Sequence, residues 1–139
     1  MHTAGTDTEN AEAQRMGHAM IVDDSRAIRG IIGNTLKELG FEVASAGNGR
    51  EALDQLPGLP GLDLLLVDWN MPVMDGYEFL QAVRKEGRWD RIPVVMVTTE
   101  TEFGQMERAL AAGANEYIMK PFTRDVLREK LQLLGFACE

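Results

Sequence analysis

Residues 64–76 read Leu-Leu-Leu-Val-Asp-Trp-Asn-Met-Pro-Val-Met-Asp-Gly, and the first five decide the fold. Four apolar residues run without alternation into a carboxylate, Asp68. A strand with one face in water alternates, so an unbroken run marks a strand covered on both faces, as in parallel sheets flanked by helices. After it, Pro72 and Asp75-Gly76 read as a turn and the acidic start of a helix over 75–86, with Phe79, Leu80 and Val83 inward.

Working outward, the same unit recurs. Upstream, 19–22 is a short apolar strand; Ile28, Ile32, Leu36 and Leu39 recur at helical spacing until Gly40; 41–46 is a second strand and 50–56 a short helix, with Pro57-Gly-Leu-Pro-Gly61 as connection. Gly30 and Gly33 lie inside the first helix at up to ~1 kcal/mol each relative to alanine, which predicts close packing on that face. Downstream, 93–97 is a strand with proline tolerated at its first position. Phe103, Met106 and Leu110 mark the inner face of a helix ended by Gly113; 117–119 is a fifth strand; Val126 or Leu127, Leu131 and Leu134 line a last helix. Met20, Met96 and Met119 read as core fillers. Five βα units predict an α/β protein, a (βα)5 doubly wound parallel sheet in strand order 2-1-3-4-5, flavodoxin-like.

Composition narrows the chemistry. The 139 residues carry 14 basic and 22 acidic side chains, a formal charge of −8, which gives a nucleic-acid backbone little to bind. Cys138 is the single cysteine, so no internal disulfide or cysteine metal cage can form, and a reducing, cytoplasmic setting is expected. No apolar run approaches the ~20 residues of a membrane span. Both histidines, His2 and His18, sit near the N-terminus, which removes Ser-His-Asp hydrolysis and histidine-ligated zinc from the body of the domain. Residues 1–17 read as a flexible polar extension to a domain over 18–139, and Met16 is itself a candidate start.

Ligands of open parallel sheets bind beyond the carboxyl ends of the strands. Those ends carry Asp23-Asp24, Asp68, Thr98 and Lys120-Pro121, whereas strand 2 ends in Ala46-Gly47 with nothing reactive. In the order 2-1-3-4-5 the four reactive ends are neighbours ~4.8 Å apart. Three repelling carboxylates predict a hard cation with oxygen ligands, Mg²⁺ retaining several waters.

The runs MIVDDSRAIRGIIGNTLKELGFEV at 20–43, DWNMPVMDG at 68–76, VTTE at 97–100 and YIMKPF at 117–122 together resemble a response-regulator receiver domain, most closely the stand-alone chemotaxis kind. The likeness spans about residues 19 to 135. It implies that Asp68 accepts a phosphoryl group from a sensor histidine kinase or histidine phosphotransfer protein. Asp23, Asp24, Asp68 and the backbone carbonyl of Asn70 would hold Mg²⁺. Lys120 would neutralise phosphoryl charge, Thr98 would bond a phosphoryl oxygen, and Tyr117 would be the switch aromatic. A cis Lys120-Pro121 bond is implied as well. About 19 residues follow Lys120, enough for one helix, so the output is expected to be a protein partner of a monomer. That partner would meet the face of helix 4, strand 5 and helix 5, with Glu102, Gln105, Glu116 and Arg124 at its rim. Thr99 stands where many receivers carry alanine or glycine, and its bulk is expected to affect access to the pocket.

Other readings of the same residues were a phosphorelay intermediate or phosphate sink, an aspartyl-phosphate phosphatase of haloacid dehalogenase type, and a flavin or nucleotide carrier. The phosphatase usually needs a carboxylate two residues after its nucleophile, where this chain has Asn70; the carrier needs a phosphate loop after strand 1, where it has Asp24-Ser-Arg-Ala27. Asp75-Gly76 reads as structural and Trp69 as a packing or surface residue near the site.

Overall fold

The computed structural model describes residues 16–99 and 103–138. Five parallel strands, β1 (Gly17–Val22), β2 (Phe41–Ala46), β3 (Leu62–Asp68), β4 (Val94–Thr98) and β5 (Glu116–Met119), form one sheet in the order β2-β1-β3-β4-β5. Helices α1 (Arg26–Glu38), α2 (Gly49–Gln55), α3 (Gly76–Glu86), α4 (Met106–Ala111) and α5 (Arg124–Leu133) connect and follow them. Leu64, Leu65, Leu66 and Val67 are buried on both sides of the sheet. Leu65 and Val67 join Phe79, Leu80 and Val83 of α3; Leu64 and Leu66 join Ile32, Leu36, Leu127 and Leu131 of α1 and α5. The unbroken apolar run is therefore shared between two cores.

Four helices begin on side-chain caps that satisfy their first N–H groups. Ser25 caps α1, Asn48 caps α2, Thr123 caps α5, and Asp75 with Glu78 forms a reciprocal capping box on α3. These caps lie in the βα connections that follow β1, β2, β3 and β5, so they also order the loops around the carboxyl edge.

Several expectations need correcting. Gly17, assigned to the extension, is the first residue of β1, and the Met16 N–H already donates to the Gly40 carbonyl at 3.0 Å. Residues 1–15, Glu100 and Glu102 lie outside the described residues. Pro93 precedes β4, where its carbonyl accepts from Leu65 N–H at 3.0 Å. Leu110 is exposed and Ala109 is buried in its place. Within α4 the buried Met106 shares its face with Ala109 at i+3, and Leu110 at i+4 turns outward. Met119 is exposed while Met20 and Met96 are fully buried, because β5 is an edge strand. Leu127 faces inward and Val126 outward. A Cβ added at Gly33 would meet Ile21 and Val43 at ordinary contact distance, 3.6 and 3.8 Å, and one at Gly30 would meet nothing within 4 Å, so the close packing expected on this face requires glycine at neither position.

Candidate phosphoacceptor site

Register brings the site together. Val22 pairs with Val67, Asp68 with Val97, and Thr98 with Met119, so the residues at or just beyond these strand ends share one edge. Asp23 and Asp68 are almost fully buried and Asp24 is exposed. One carboxylate oxygen from each lies within 4.8 Å of the others. The Lys120 ammonium bridges the pair beneath, 3.0 Å from Asp68 Oδ1 and 3.3 Å from Asp23 Oδ2. Asn70 is exposed at the start of the loop after Asp68.

The backbone holds Asp23 as firmly as any side chain does. Asp23 N–H donates to the Ala46 carbonyl at 3.1 Å, Ser25 N–H donates to Asp23 Oδ1 at 2.8 Å, and Arg29 Nη1 donates to the Asp23 carbonyl at 2.7 Å. Below Asp68, Gly76 N–H donates to the Trp69 carbonyl at 2.9 Å, and an added Cβ at Gly76 would stand 2.2 Å from the Asp68 carbonyl oxygen. Only glycine lets α3 start this close to the Asp68 backbone. The Asp75-Gly76 pair is thus structural, as read, but its glycine also fixes the backbone beneath Asp68. The intervening loop carries strain: β-branched Val73 sits at φ +68, and Met74 N–H folds back to the Pro72 carbonyl at 2.7 Å.

Electrostatics follow from burial. Burial pushes the Asp68 carboxyl up to about 6; the Lys120 hydrogen bond opposes this, the Asp23 charge adds to it, the Lys120 charge opposes it again, and Asp24 adds the last increment. For Lys120, burial works against the ammonium, but Asp68 and Asp23 outweigh it and hold the group above the ordinary lysine range. One cation thus serves two buried carboxylates, which leaves the site short of positive charge. Asp23, Asp24 and Asp68 offer hard oxygen donors only, and that donor set fits Mg²⁺. Thr98 is fully buried, and its Oγ1 finds no hydrogen-bond partner among the described residues. A buried hydroxyl left alone costs ~1–3 kcal/mol, so it awaits an acceptor. Lys120 N–H donates to the Thr98 carbonyl at 2.8 Å, and the Lys120-Pro121 bond is cis, as the resemblance implied.

Trp69 is buried and stacks on Tyr77 with centroids 5.6 Å apart, and the Arg108 guanidinium covers the other ring at 4.5 Å from the Tyr77 centroid. It packs, as its reading held, but the residues it meets were not legible. Arg84 was missed altogether: it donates to the carbonyls of Gly113, Trp89 and Ile92 and to Asn115 Oδ1 at 2.8–3.0 Å, tying together the loops at the opposite edge. Thr99 is half-buried beside Thr98.

Comparison with known proteins points the same way. Residues 19–132 match the model of the response regulator receiver domain. A Helicobacter pylori chemotaxis protein, CheY1, is 45% identical over 116 residues, spanning 83% of this chain and 94% of that protein. The CheY chemotaxis protein of Pseudomonas aeruginosa is 46% identical over 114 residues, 81% of this chain and 91% of that one. Among solved structures, Vibrio cholerae CheY4 superposes with a TM-score of 0.78 at 39% identity, covering 85% of this chain and 98% of that chain.

Proposed function

The chain belongs to the response regulator receiver family, and on that footing we propose that its receiver domain, from β1 at Gly17 onward, acts as a CheY-like, phosphorylation-dependent switch. Asp68 is the acceptor. One of its carboxylate oxygens attacks the phosphorus of a phosphohistidine on a sensor histidine kinase or histidine phosphotransfer protein. A carboxylate O–P bond forms, the N–P bond breaks, and the imidazole leaves with the electron pair. Lys120, already 3.0 Å from Asp68, faces the negative charge that arrives, and the lone Thr98 hydroxyl donates to a phosphoryl oxygen. Asp23, Asp24, Asp68 and the Asn70 carbonyl would hold Mg²⁺, which when bound supplies positive charge opposite the phosphoryl oxygens. Asp68 is thus both a ligand and the nucleophile, whereas Asp23 and Asp24 act as ligands alone.

The chain is a switch and not an enzyme with a substrate of its own. Thr98 moving toward the phosphoryl group makes room for Tyr117 to turn, and the consequence is felt on the surface of α4, β5 and α5. That surface suits a protein: α4 exposes Leu110, β5 exposes Met119, and α5 exposes Val126 and Leu133. Gln105, the residue before α4, and Arg124, the first of α5, are its rim. The names of the relatives support a chemotaxis output, and no described helix is long and apolar enough to cross a membrane.

The observation that carries this reading is the buried Asp68 carboxylate held between Lys120 and two further carboxylates beside an unpartnered hydroxyl. With acetyl phosphate and Mg²⁺, intact mass should rise by one phosphoryl group, and Asp68→Asn should abolish the rise. An unchanged mass in the parent protein, or labelling that survives in Asp68→Asn, refutes it.

A further inference from the structure

Tyr117 has a neighbour that its place in the sequence does not announce. Its ring, half-buried on edge strand β5, packs on the core cluster to which α4 contributes Met106 and Ala109. From α5, the Lys130 ammonium stands over that ring, 4.4 Å from its centroid. The same ammonium is 3.2 Å from Glu116 Oε1, and that oxygen also accepts the backbone N–H of Tyr117 at 3.0 Å. Side-chain exposure is only 24% for Lys130 and 19% for Glu116, so both charges are largely withdrawn from water. Glu116 is therefore less a rim residue than a strut whose far end holds a cation above the switch aromatic.

We propose that Lys130 is a positioning residue for Tyr117: anchored by Glu116, its ammonium holds the ring where it lies without phosphate and so sets how far the switch rests toward its inactive state. The inference rests on the function proposed above and names the residue that biases it. A cation over a tyrosine face is attracted by the ring quadrupole, more strongly when partly desolvated. Because the Glu116 carboxylate is fixed by the strand backbone, the ammonium stays in place when the ring leaves, and movement of the ring forfeits the contact. Anything that favours the resting ring must, by linkage, oppose activation by the same factor. A purely structural Lys130–Glu116 pair tying α5 to β5 would alter melting without altering the ring.

The experiment reads the ring itself. Tyr77 and Tyr117 are the two tyrosines, so 3-fluorotyrosine incorporated into a Tyr77→Phe background reports on Tyr117 alone by ¹⁹F NMR. The protein is titrated with beryllofluoride at saturating Mg²⁺. Lys130→Met should move the resting resonance toward the beryllofluoride-bound position and lower the half-saturating beryllofluoride concentration about three- to tenfold. Lys130→Arg, which keeps a cation over the ring, should restore the parent values, and Glu116→Gln should fall between. A Lys130→Met protein with the parent resonance and half-saturation overturns the inference, as does a Lys130→Arg protein displaced as far as Lys130→Met. A parent resonance that beryllofluoride does not move overturns the Tyr117 switch as well, so the two failures are told apart.

Discussion

The two edges of the sheet are built from the same strands and treat charge in opposite ways. At the amino edge, His18 Nε2 lies 3.2 Å from Glu42 Oε2, and the His18 N–H donates to Asp63 Oδ2 at 2.9 Å. These groups sit in water; Gly17, at φ +115, leaves room for the Asp63 carboxylate. At the carboxyl edge, Asp23 and Asp68 are buried with Asp24 beside them, one lysine between the buried pair, and Thr98 without a partner. Exposed ion pairs of the first kind contribute ~0–1 kcal/mol and are indifferent to ligands. The second arrangement is unfavourable until something arrives. Frustration among the described residues gathers at the edge that carries Asp68, and that asymmetry marks the site more sharply than any single residue does.

The largest effect that sharpens this contrast comes from Mg²⁺. At about 100 times its dissociation constant, linkage adds roughly 2.7 kcal/mol to stability. Thermal melts should show this shift in the parent protein, with most of it lost in Asp24→Ala and nearly all of it kept in Asp63→Asn at the other edge. An equal shift in Asp24→Ala breaks the comparison.

Next in size is the metal-free stability of Asp68→Asn. The folded Asp68 carboxyl titrates near 6 against an ordinary value of 3.8, so between these pH values the native state binds more protons than the unfolded chain. Stability therefore falls as pH rises through that window, and above it the full penalty of the buried charge remains. Urea titrations without metal should find Asp68→Asn about 2 kcal/mol more stable than the parent at pH 7.5 and little different at pH 3.5. The corresponding change at the amino edge, Asp63→Asn, should stay within about 0.5 kcal/mol at both pH values.

The smallest effect isolates one hydroxyl. Thr98→Val keeps the shape and removes the lone donor, so the resting protein should gain about 1 kcal/mol in denaturant midpoint analysis while its beryllofluoride affinity falls. A loss of stability would mean that the hydroxyl is satisfied in solution.

Much of this site was legible from the chain alone. Asp23, Asp68, Thr98 and Lys120 each end or follow an apolar run, and strand ends are local features that periodicity exposes. The expected cation followed from carboxylates crowding one edge. What escaped reading was of another kind. Leu110 was placed inward because apolar spacing alone does not tell whether the i+3 or the i+4 neighbour of Met106 shares its buried face. Met119 was placed in the core because strand apolarity does not tell an edge residue from a central one. Gly76 read as a turn glycine, and its approach to the Asp68 carbonyl appears only once α3 is docked.

Local order, then, was determined by the sequence: which segments are strands, which residues terminate them, where Ser25, Asn48, Asp75 and Thr123 start helices. These depend on neighbours within a few positions, where hydrophobic periodicity and side-chain capping act. Only the tertiary structure decided the strength of the site. The 3.3 Å between Lys120 and Asp23 spans 97 positions of chain, and the 4.4 Å between Lys130 and Tyr117 depends on how α5 settles on β5. Coulomb attraction, desolvation and cation–π contact change steeply over an ångström. Strand register and helix docking set those distances, and so they alone decided which carboxylate is pushed up to about 6, which hydroxyl has no partner among the described residues, and which lysine stands over Tyr117.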